Sequence, residues 1–456
     1  MSSVSELSDW LRAALDVDVS KAASTAAVLG LVFHNTFLRI VEVEAFMYTL
    51  IFSGLISYSG LVAVHLFAGF APLAALARVS LLSTSFNVAV FLSMGIYRFF
   101  FHRLRNFPGP PLAKVSRFYS AYKASRGLKY FKQVGQWNDQ YGDFIRTGKV
   151  GFGKEFHSVT KGEEHPAIEG VHSSMNVLGI MSHVPWMLNL MGKIPGAAAA
   201  YQEFFAWCGS EIEAKKKNWN AEEYPQDIVS WLVKAVMDKD PAASPSDPAL
   251  HEDSRVVIVA GSETTATTLA TIFYFLAKHP AVQKKLQARV DAALGARQWS
   301  YEEARTVTFI DDIIHETLRL KPALLTGGFR VTPPEGLTVD GTFIPGGTNV
   351  FVPVQRIQTD PRYWQEAKEF IPERFGECRA ELGTDGSPFL PFMLGAYQCP
   401  GKNLAFLSLR IALSRVAREF DVAFAPGETG ESFDRDAKDT FTTTLPPMMI
   451  QFTKRK

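Results

Sequence analysis

The stretch FLPFMLGAYQCPG at residues 389–401 contains the cysteine whose neighbours decide how the chain is interpreted. The chain has only three cysteines, Cys208, Cys378 and Cys399. This odd and widely spaced set provides neither a disulfide framework nor the paired spacing of a zinc site, so a reduced compartment is expected. Most free cysteines are small buried apolar residues, but the residues around Cys399 favour a chemical role.

Cys399 is expected to lie at the N-terminus of a helix. Pro400 and Gly401 follow it, and the apolar run NLAFLSLRIALSRVA begins directly afterwards. Free backbone N–H groups and the positive end of the helix dipole stabilise a thiolate at such a place. Gly395 and Gly401 would let the backbone approach a flat cofactor closely. The sulfur is therefore a candidate metal ligand.

The same stretch resembles the haem-binding loop of cytochrome P450. That family has Phe, Gly, Cys and Gly at the positions of Phe392, Gly395, Cys399 and Gly401. The resemblance implies haem b as cofactor, with Cys399 as the axial thiolate ligand of the iron. Tyr397 departs from the family pattern, in which Arg usually pairs with a haem propionate, although a phenol can still donate a hydrogen bond.

Two further motifs contain charged residues that also resemble the cytochrome P450 pattern. Glu316 and Arg319 lie on one helical face in HETLRLKP (315–322), and FIPERF (370–375) supplies Arg374. On their own, Glu316 and Arg319 would be an ordinary surface pair, and Arg319 replaces the second His that a zinc-protease motif needs. The resemblance implies instead a buried ion network that fixes the geometry under the cysteine loop rather than adding stability.

A long apolar helix is predicted to carry the motif AGSETT at residues 260–265. Gly261 weakens the helix and Thr264 can turn its hydroxyl toward the preceding turn, which predicts a local opening beside a ligand. The resemblance implies that dioxygen binds there and that Glu263 and Thr264 deliver protons to it. A Thr-rich core helix with a single acid is the alternative.

Arg330 begins the first strand of a turn-rich segment. The resemblance places this residue against a haem propionate. A plain surface strand residue is the alternative.

Charge and hydropathy point to a membrane rather than to nucleic acid. The 456 residues are 47% hydrophobic, and 47 basic against 46 acidic residues give a net charge of +1. Residues 45–77 and 79–97 contain no Asp, Glu, Lys or Arg, and each run is long enough to span a bilayer. Residues 22–38 are weaker and fit a third span, an interfacial helix or a soluble helix.

A basic flank follows the second apolar run, with Arg98, Arg103, Arg105 and Lys114, and favours the cytosolic side for the rest of the chain. The predicted organisation is a membrane anchor at 1–105, a proline-rich hinge at 106–114 (NFPGPPLAK) and a haem domain at 115–456. The haem domain is mainly helical with a small β region near 330–354, an α+β fold of the P450 type.

The resemblance implies a fungal-type monooxygenase of the endoplasmic reticulum membrane whose body faces the cytosol. Its partners would be an NADPH-cytochrome P450 reductase-type flavoprotein, dioxygen, a small apolar substrate and membrane lipid. A P450-fold isomerase or dehydratase without a reductase is an alternative, against which Glu263 and Thr264 argue. A truncated, non-catalytic membrane protein is another.

One block of the family pattern is missing from the sequence. The segment YGDFIRTG (141–148) resembles a family strand that roughly a hundred residues separate from a stretch like FGKEF, which is more than loop variation explains. Here only residues 149–151 intervene. The missing block would hold the loop over the substrate pocket, a helix that grips a propionate and part of the reductase surface. We therefore expect this chain to bind haem weakly or to turn over poorly.

Overall fold

The computed structural model describes most of the chain and contains two compact units, one built mainly from residues 1–117 and the other mainly from residues 194–456. The described residues are 2–40, 46–116, 118–128, 179–180, 184–191, 194, 196, 199–220, 222, 225, 228–440 and 442–455. The predicted strand at 141–148 and its short connection to FGKEF lie outside these residues.

The first unit is helical in its described part. Its helices are α1 (Ser2–Leu15), α2 (Val19–Phe33), α3 (Met47–Phe67), α4 (Pro72–Ile96), α5 (Pro111–Val115) and, from later in the chain, α7 (Pro185–Met191). Two of them are extended by a π-helical turn, His34–Leu38 after α2 and Tyr97–Phe101 after α4. Asp18 caps α2, because its carboxylate accepts hydrogen bonds from the N–H groups of Ser20 and Lys21.

Two helices in the described residues are long and apolar enough to cross a membrane, Met47–Phe67 and Pro72–Phe101. The charge-free runs 45–77 and 79–97 do not coincide with these helices, because Arg78 lies inside α4. There its guanidinium donates hydrogen bonds to the carbonyls of Leu15 and Val17. The actual boundary is the turn at 68–71, where Gly69 adopts a φ of +78° that favours glycine.

Helices also dominate the second unit. They are α6 (Phe118–Ser125), α8 (Ala199–Lys217), α9 (Ile228–Met237), α10 (Asp247–Lys278), α11 (Pro280–Leu294), α12 (Tyr301–Ala304), α13 (Thr308–Leu320), α14 (Val354–Gln358), α15 (Lys402–Glu419) and α16 (Glu431–Arg435). Ser246 caps the long α10, since its side chain accepts a hydrogen bond from the N–H of Ala249.

The strands of the described residues form four two-stranded antiparallel sheets. They pair β1 (Phe329–Val331) with β4 (Asn349–Phe351), β2 (Leu337–Val339) with β3 (Thr342–Ile344), β5 (Phe420–Phe424) with β8 (Ile450–Lys454), and β6 (Lys438–Thr440) with β7 (Thr442–Thr444). The prediction of a mainly helical body with a small β region is confirmed, although the sequence analysis did not identify the C-terminal strands.

The core of the second unit lies among α10, α11, α13 and α15. The apolar face of α13 is fully buried through Ile313 and Ile314, and Leu413 of α15 belongs to the same cluster. Burying one such side chain stabilises the fold by about 1.5 to 3 kcal/mol. This packing holds α13 in place, and α13 carries two of the charged residues singled out in the sequence.

Candidate functional site

The structure brings Glu316, Arg319 and Arg374 into direct contact, and all three side chains are 0% exposed. The Glu316 carboxylate accepts a bidentate pair from Arg319, with Nε at 2.7 Å and Nη2 at 2.8 Å. It also accepts from Arg374 Nε at 3.0 Å and from the Ile371 N–H at 3.0 Å. One carboxylate therefore joins α13 to the segment around Arg374.

Backbone carbonyls accept the remaining hydrogen bonds of Arg319 and two further hydrogen bonds of Arg374. Arg319 donates to the carbonyls of Gln358, Ala367 and Glu369 at 2.9, 2.7 and 3.0 Å. Arg374 donates to those of Gln365 and Glu366 at 2.9 and 3.1 Å. Two buried cations and one anion are thus compensated by carbonyl dipoles, and removal of any one member would leave buried charge without compensation.

Gln358 links this network to the cysteine loop and was missed by the sequence analysis. Its amide nitrogen donates to the carbonyls of Leu318 and Arg319 at 3.0 and 3.1 Å. Its amide oxygen accepts from the N–H of Leu390 at 2.6 Å, at the start of the loop. Trp364 was missed too, and its ring lies 5.0 Å from the guanidinium carbon of Arg319. Neither residue belongs to a motif that could have indicated its position.

The loop that carries Cys399 is held by its own backbone. The N–H of Cys399 donates to the carbonyl of Phe392 at 2.8 Å, and the Gln398 N–H donates to the Gly395 carbonyl at 3.1 Å. Gly395 has a φ of +73°, which requires glycine in practice. Helix α15 begins at Lys402, so Cys399 lies just outside the helix start rather than in its first turn.

The loop has room for a flat group beside the sulfur. Cys399 is exposed, and a Cβ built on Gly395 would meet no protein atom within 4 Å. A Cβ on Gly401 would be 3.7 Å from the Cys399 sulfur, an ordinary van der Waals distance. The protein itself therefore does not require glycine at 401, and the residues present fit a haem whose iron is bound by an exposed thiolate.

The structure also brings Arg330 and Tyr397 together. The guanidinium carbon of Arg330 lies 4.8 Å from the centre of the Tyr397 ring, and Arg330 Nη1 donates to the carbonyl of Phe329 at 2.8 Å. Pairing of Arg330 with Val350 across β1 and β4 fixes its backbone. Tyr397 is 73% exposed, so this cationic group and its aromatic partner face the open side of the loop.

Glu263 and Thr264 lie in an unbroken helix. The Thr264 hydroxyl donates to the carbonyl of Ala260 at 2.7 Å, and the Thr268 hydroxyl donates to that of Thr264 at 2.7 Å. The Thr264 hydroxyl thus turns toward the preceding turn as predicted, and α10 continues from Asp247 to Lys278 without a break at Gly261. Glu263 is buried, whereas Thr264 is half-buried.

The histidine of HETLR is a packing residue. His315 lies among the rings of Phe375, Phe389 and Phe406, with centroid distances of 5.2, 5.5 and 5.2 Å. Burial lowers the pKa of His315 to about 4, so the imidazole is neutral. Burial also raises the pKa of Asp312 to about 6, with a further contribution from Asp311. The chemistry at this end of α13 therefore does not involve a charged histidine.

Comparisons with known proteins identify the family of most of the chain. Residues 146–452 match the family model described as Cytochrome P450. The chain is 40% identical to Cytochrome P450 monooxygenase eupD of a Phoma species over 289 residues, which cover 62% of the chain and 100% of that protein. It is 26% identical to Cytochrome P450 monooxygenase FCK2 of Fusarium pseudograminearum, over 94% of the chain and 97% of that protein.

Other relatives are longer than the part that is matched. The chain is 29% identical to Tryprostatin B 6-hydroxylase of Aspergillus fumigatus over 71% of the chain but only 57% of that protein. Matches to several other fungal P450 monooxygenases cover 55% to 65% of their length. The family match spans well over half of the chain and includes the Cys399 loop and the Glu316 network. The chain therefore belongs to the cytochrome P450 family, among the fungal P450 monooxygenases.

Proposed function

We propose that the chain is a haem-thiolate monooxygenase that inserts one oxygen atom of dioxygen into a small apolar substrate, with Cys399 as the axial ligand of haem b. The observation that carries this proposal is that Cys399 is exposed in a loop of fixed backbone. The hydrogen bond from the Cys399 N–H to the Phe392 carbonyl holds that loop in place. When bound, the haem supplies the oxygen chemistry, and a thiolate ligand favours O–O cleavage.

Arg330 and the cysteine loop would hold the haem. The guanidinium of Arg330 is the cation beside the loop that we assign to a propionate, and Phe392, Gly395 and Gly401 shape the surface against the ring. Support comes from the position of Arg330 over the Tyr397 ring, which brings its charge to the exposed side of the loop. The aromatic contact orients the guanidinium without neutralising it.

Glu263 and Thr264 would supply protons to the reacting oxygen. The proton of Thr264 Oγ1 is donated to the Ala260 carbonyl, which leaves the lone pairs of this oxygen available to accept a second hydrogen bond. Thr264 can pass its proton on only when it exchanges this bond for one to a ligand. Glu263, the adjacent carboxylic acid, would then restore that proton.

The Glu316, Arg319 and Arg374 network would position the ligand sulfur without touching it. Support comes from Gln358, which accepts a hydrogen bond from the Leu390 N–H and donates to the Arg319 carbonyl. A rigid hydrogen-bonded path therefore runs from the buried charges to the start of the cysteine loop. The function of the network would be geometric, as expected for buried charges that add little stability.

We further propose an anchor at residues 1–105 in the endoplasmic reticulum membrane, a hinge at 106–114 and a body at 115–456 that faces the cytosol and accepts electrons from a reductase-type flavoprotein. Support comes from the apolar helices Met47–Phe67 and Pro72–Phe101 and from the basic residues that follow them, Arg103, Arg105 and Lys114. A reductase on the cytosolic side would then reach the body.

We also propose that the chain lacks the internal block that the family pattern predicts after residue 148. Without this block, haem binding would be weak. Support comes from the alignment with the Fusarium protein, which runs over 536 positions although the chain has 456 residues. A substantial part of that relative therefore has no counterpart here. A haem that lacks this cover would lose apolar contact on one side.

The spectrum of the reduced, carbon-monoxide-bound protein tests the proposed ligand. The parent chain, reconstituted with haem, should show the thiolate-type Soret band, and Cys399→Ser should lose it, because the axial ligand sets the haem electronics. Cys378→Ser is the matched control, since Cys378 lies outside the stretch 389–401, and should leave the band in place. An unchanged band in Cys399→Ser would overturn the assignment of the ligand.

A further inference from the structure

Helix α2 packs closely against α4. A Cβ at Gly30 would overlap the carbonyl oxygen of Phe86 and would lie 3.3 Å from the Cβ of Ala89. The rings of Phe33 and Phe86 contact each other at a centroid distance of 5.8 Å. A small residue that lets two backbones approach this closely is typical of helix pairs within membranes.

Polar side chains of the α2 segment are turned toward α4. His34 is 2% exposed, and its Nδ1 lies 2.8 Å from the hydroxyl oxygen of Ser93. Asn35 donates to the same oxygen at 3.4 Å, and the guanidinium carbon of Arg39 lies 4.4 Å from the centre of the Tyr97 ring. Polar groups within a membrane bundle are expected to face the bundle interior and to be paired there.

The order of these contacts gives the direction of the helices. Contacts of Gly30 with Phe86, of His34 with Ser93 and of Arg39 with Tyr97 advance together along both segments, so α2 and α4 run in the same direction. Helix α3 returns through the short turn at 68–71, and the Tyr58 hydroxyl lies 2.8 Å from that of Ser80. The three helices therefore run up, down and up.

The outer, exposed face of the α2 segment is mainly apolar, with Val28, Leu29, Leu31, Val32 and Phe37. The exposed polar residues on it hydrogen-bond to carbonyls one turn back; they are Ser24, Thr25, Asn35 and Thr36. Residues 22–38 contain no Asp, Glu, Lys or Arg. Continuous helix from Val19 to Leu38 would be about 30 Å long at about 1.5 Å per residue, close to the thickness of a bilayer core.

Helix α1 lies at the end where α3 turns into α4. Arg12 Nη1 donates to the carbonyl of Ala68 at 3.4 Å, and the Ser8 hydroxyl donates to that of Phe67 at 3.0 Å. From the other side, Arg78 donates to the Leu15 carbonyl at 2.6 Å. These contacts place α1 at the start of α4, whereas the rest of the chain continues from the opposite end of α4.

From these contacts we infer that Val19–Leu38 is a third membrane-spanning segment. Its outer face contacts lipid acyl chains, its inner face contacts α4, and the crossing leaves α1 and the haem-binding body on opposite sides of the membrane. This inference rests on the proposed anchor. The segment Val19–Leu38 runs alongside α4 in the same direction through three successive contacts. If α4 crosses the bilayer, this segment therefore crosses it as well and does not lie in the interface.

Protease protection in sealed microsomes tests this topology. The full chain would carry one epitope tag ahead of α1 and a different tag after residue 456. With three spans, protease added outside should remove one tag only, and detergent should make both accessible. Deletion of residues 2–45 removes α1 and the α2 segment, so both tags should then be digested. Digestion of both tags in the full chain would overturn the third span.

Alkaline extraction of the same microsomes tests the proposed membrane anchor independently of the third span. If both tags are digested but the chain stays in the membrane pellet, the third span is wrong and the anchor stands. If alkali releases the full chain, the anchor itself is wrong and the third span fails with it. Retention in the pellet together with a single digested tag supports both.

A cysteine cross-link tests the packing of the α2 segment against α4. With Cys208, Cys378 and Cys399 replaced by Ser, His34→Cys together with Ser93→Cys should form an intramolecular disulfide on mild oxidation in the membrane. Leu29→Cys with Ser93→Cys is the matched control, because Leu29 lies on the outer face. Equal cross-linking of the two pairs would contradict the assigned interface.

Discussion

The guanidinium of Arg330 lies over the face of the Tyr397 ring, with 4.8 Å between the guanidinium carbon and the ring centre. Tyr397 occupies the position at which the P450 family usually has Arg. Under the proposed function, Tyr397 would orient Arg330 instead of supplying a second cation. A cation–π contact of this kind contributes about 0.5 to 2 kcal/mol, depending on its exposure.

Replacement of the ring at 397 should speed the loss of haem. We expect Tyr397→Leu to release haem faster than the parent, because Arg330 loses the surface that orients it, whereas Tyr397→Phe should stay close to the parent. The measurement is the rate of haem transfer to apomyoglobin. Faster loss in Tyr397→Phe as well would show that the hydroxyl matters rather than the ring.

Loss of the Gln358 amide should destabilise the body. Gln358→Leu leaves the carbonyls of Leu318 and Arg319 and the Leu390 N–H without this partner. Each buried group left unpaired costs about 1 to 3 kcal/mol, so the unfolding free energy should fall by at least about 2 kcal/mol. Gln355→Leu is the control, because Gln355 is only half-buried and its amide donates to the Leu320 carbonyl alone. Equal losses in denaturant titrations would refute the special role of Gln358.

Removal of the Thr264 hydroxyl should uncouple electron consumption from product formation. We expect Thr264→Ala to keep substrate binding but to divert reducing equivalents to hydrogen peroxide, because proton delivery is impaired. The measurement is peroxide formed per NADPH consumed. Thr268→Ala is a suitable control, since its hydroxyl donates to the carbonyl of Thr264 one turn further on. Unchanged coupling in Thr264→Ala would place proton delivery elsewhere.

Neutralisation of Asp312 should stabilise the fold in a pH-dependent way. Burial raises the pKa of this carboxyl from 3.8 to about 6, so the folded chain holds the proton more tightly than the unfolded chain. The parent therefore loses stability as the pH rises from about 4 to about 6. Asp312→Asn should be more stable than the parent above pH 6, and this gain should vanish below pH 4.

Asp311→Asn provides the contrast for Asp312→Asn. Asp311 receives two hydrogen bonds of 2.7 Å from Arg410, so its replacement should lower stability where the carboxylate is charged. The measurement is the unfolding free energy of each variant against the parent at a series of pH values. A gain for Asp312→Asn that does not change with pH would show that titration is not its cause.

Restoration of the internal block should raise haem occupancy. A chain with the block supplied from its genomic locus after residue 148 should hold more haem per polypeptide than the present chain. The reason is that the added residues would cover the exposed side of the Cys399 loop with apolar contact. Equal, stoichiometric haem in both chains would show that the block is not needed for haem binding.

Residue types at fixed spacing made part of the site predictable. Glu316 and Arg319 share a helical face by their spacing, and their contact in the structure follows from that spacing. The strands near 330–354 were visible because β-branched residues alternate with turn residues. Gln358 and Trp364 were not predictable, because their contacts depend on a turn that only the folded chain brings against α13.

Arg78 shows why a run without charged residues did not coincide with a helix. Its guanidinium is satisfied by the carbonyls of Leu15 and Val17, so a charged residue lies inside α4. The Thr264 hydroxyl bonds to a carbonyl one turn back, as the sequence predicted, and the helix is continuous there.

The Glu316 network consists of protein groups alone. Arg319 directs all of its donors to the Glu316 carboxylate and to the carbonyls of Gln358, Ala367 and Glu369. None of these hydrogen bonds requires another molecule, so the network can form during folding. The conformational entropy of ordering these side chains is then lost during folding, and under the proposed function the haem would meet a preorganised receptor.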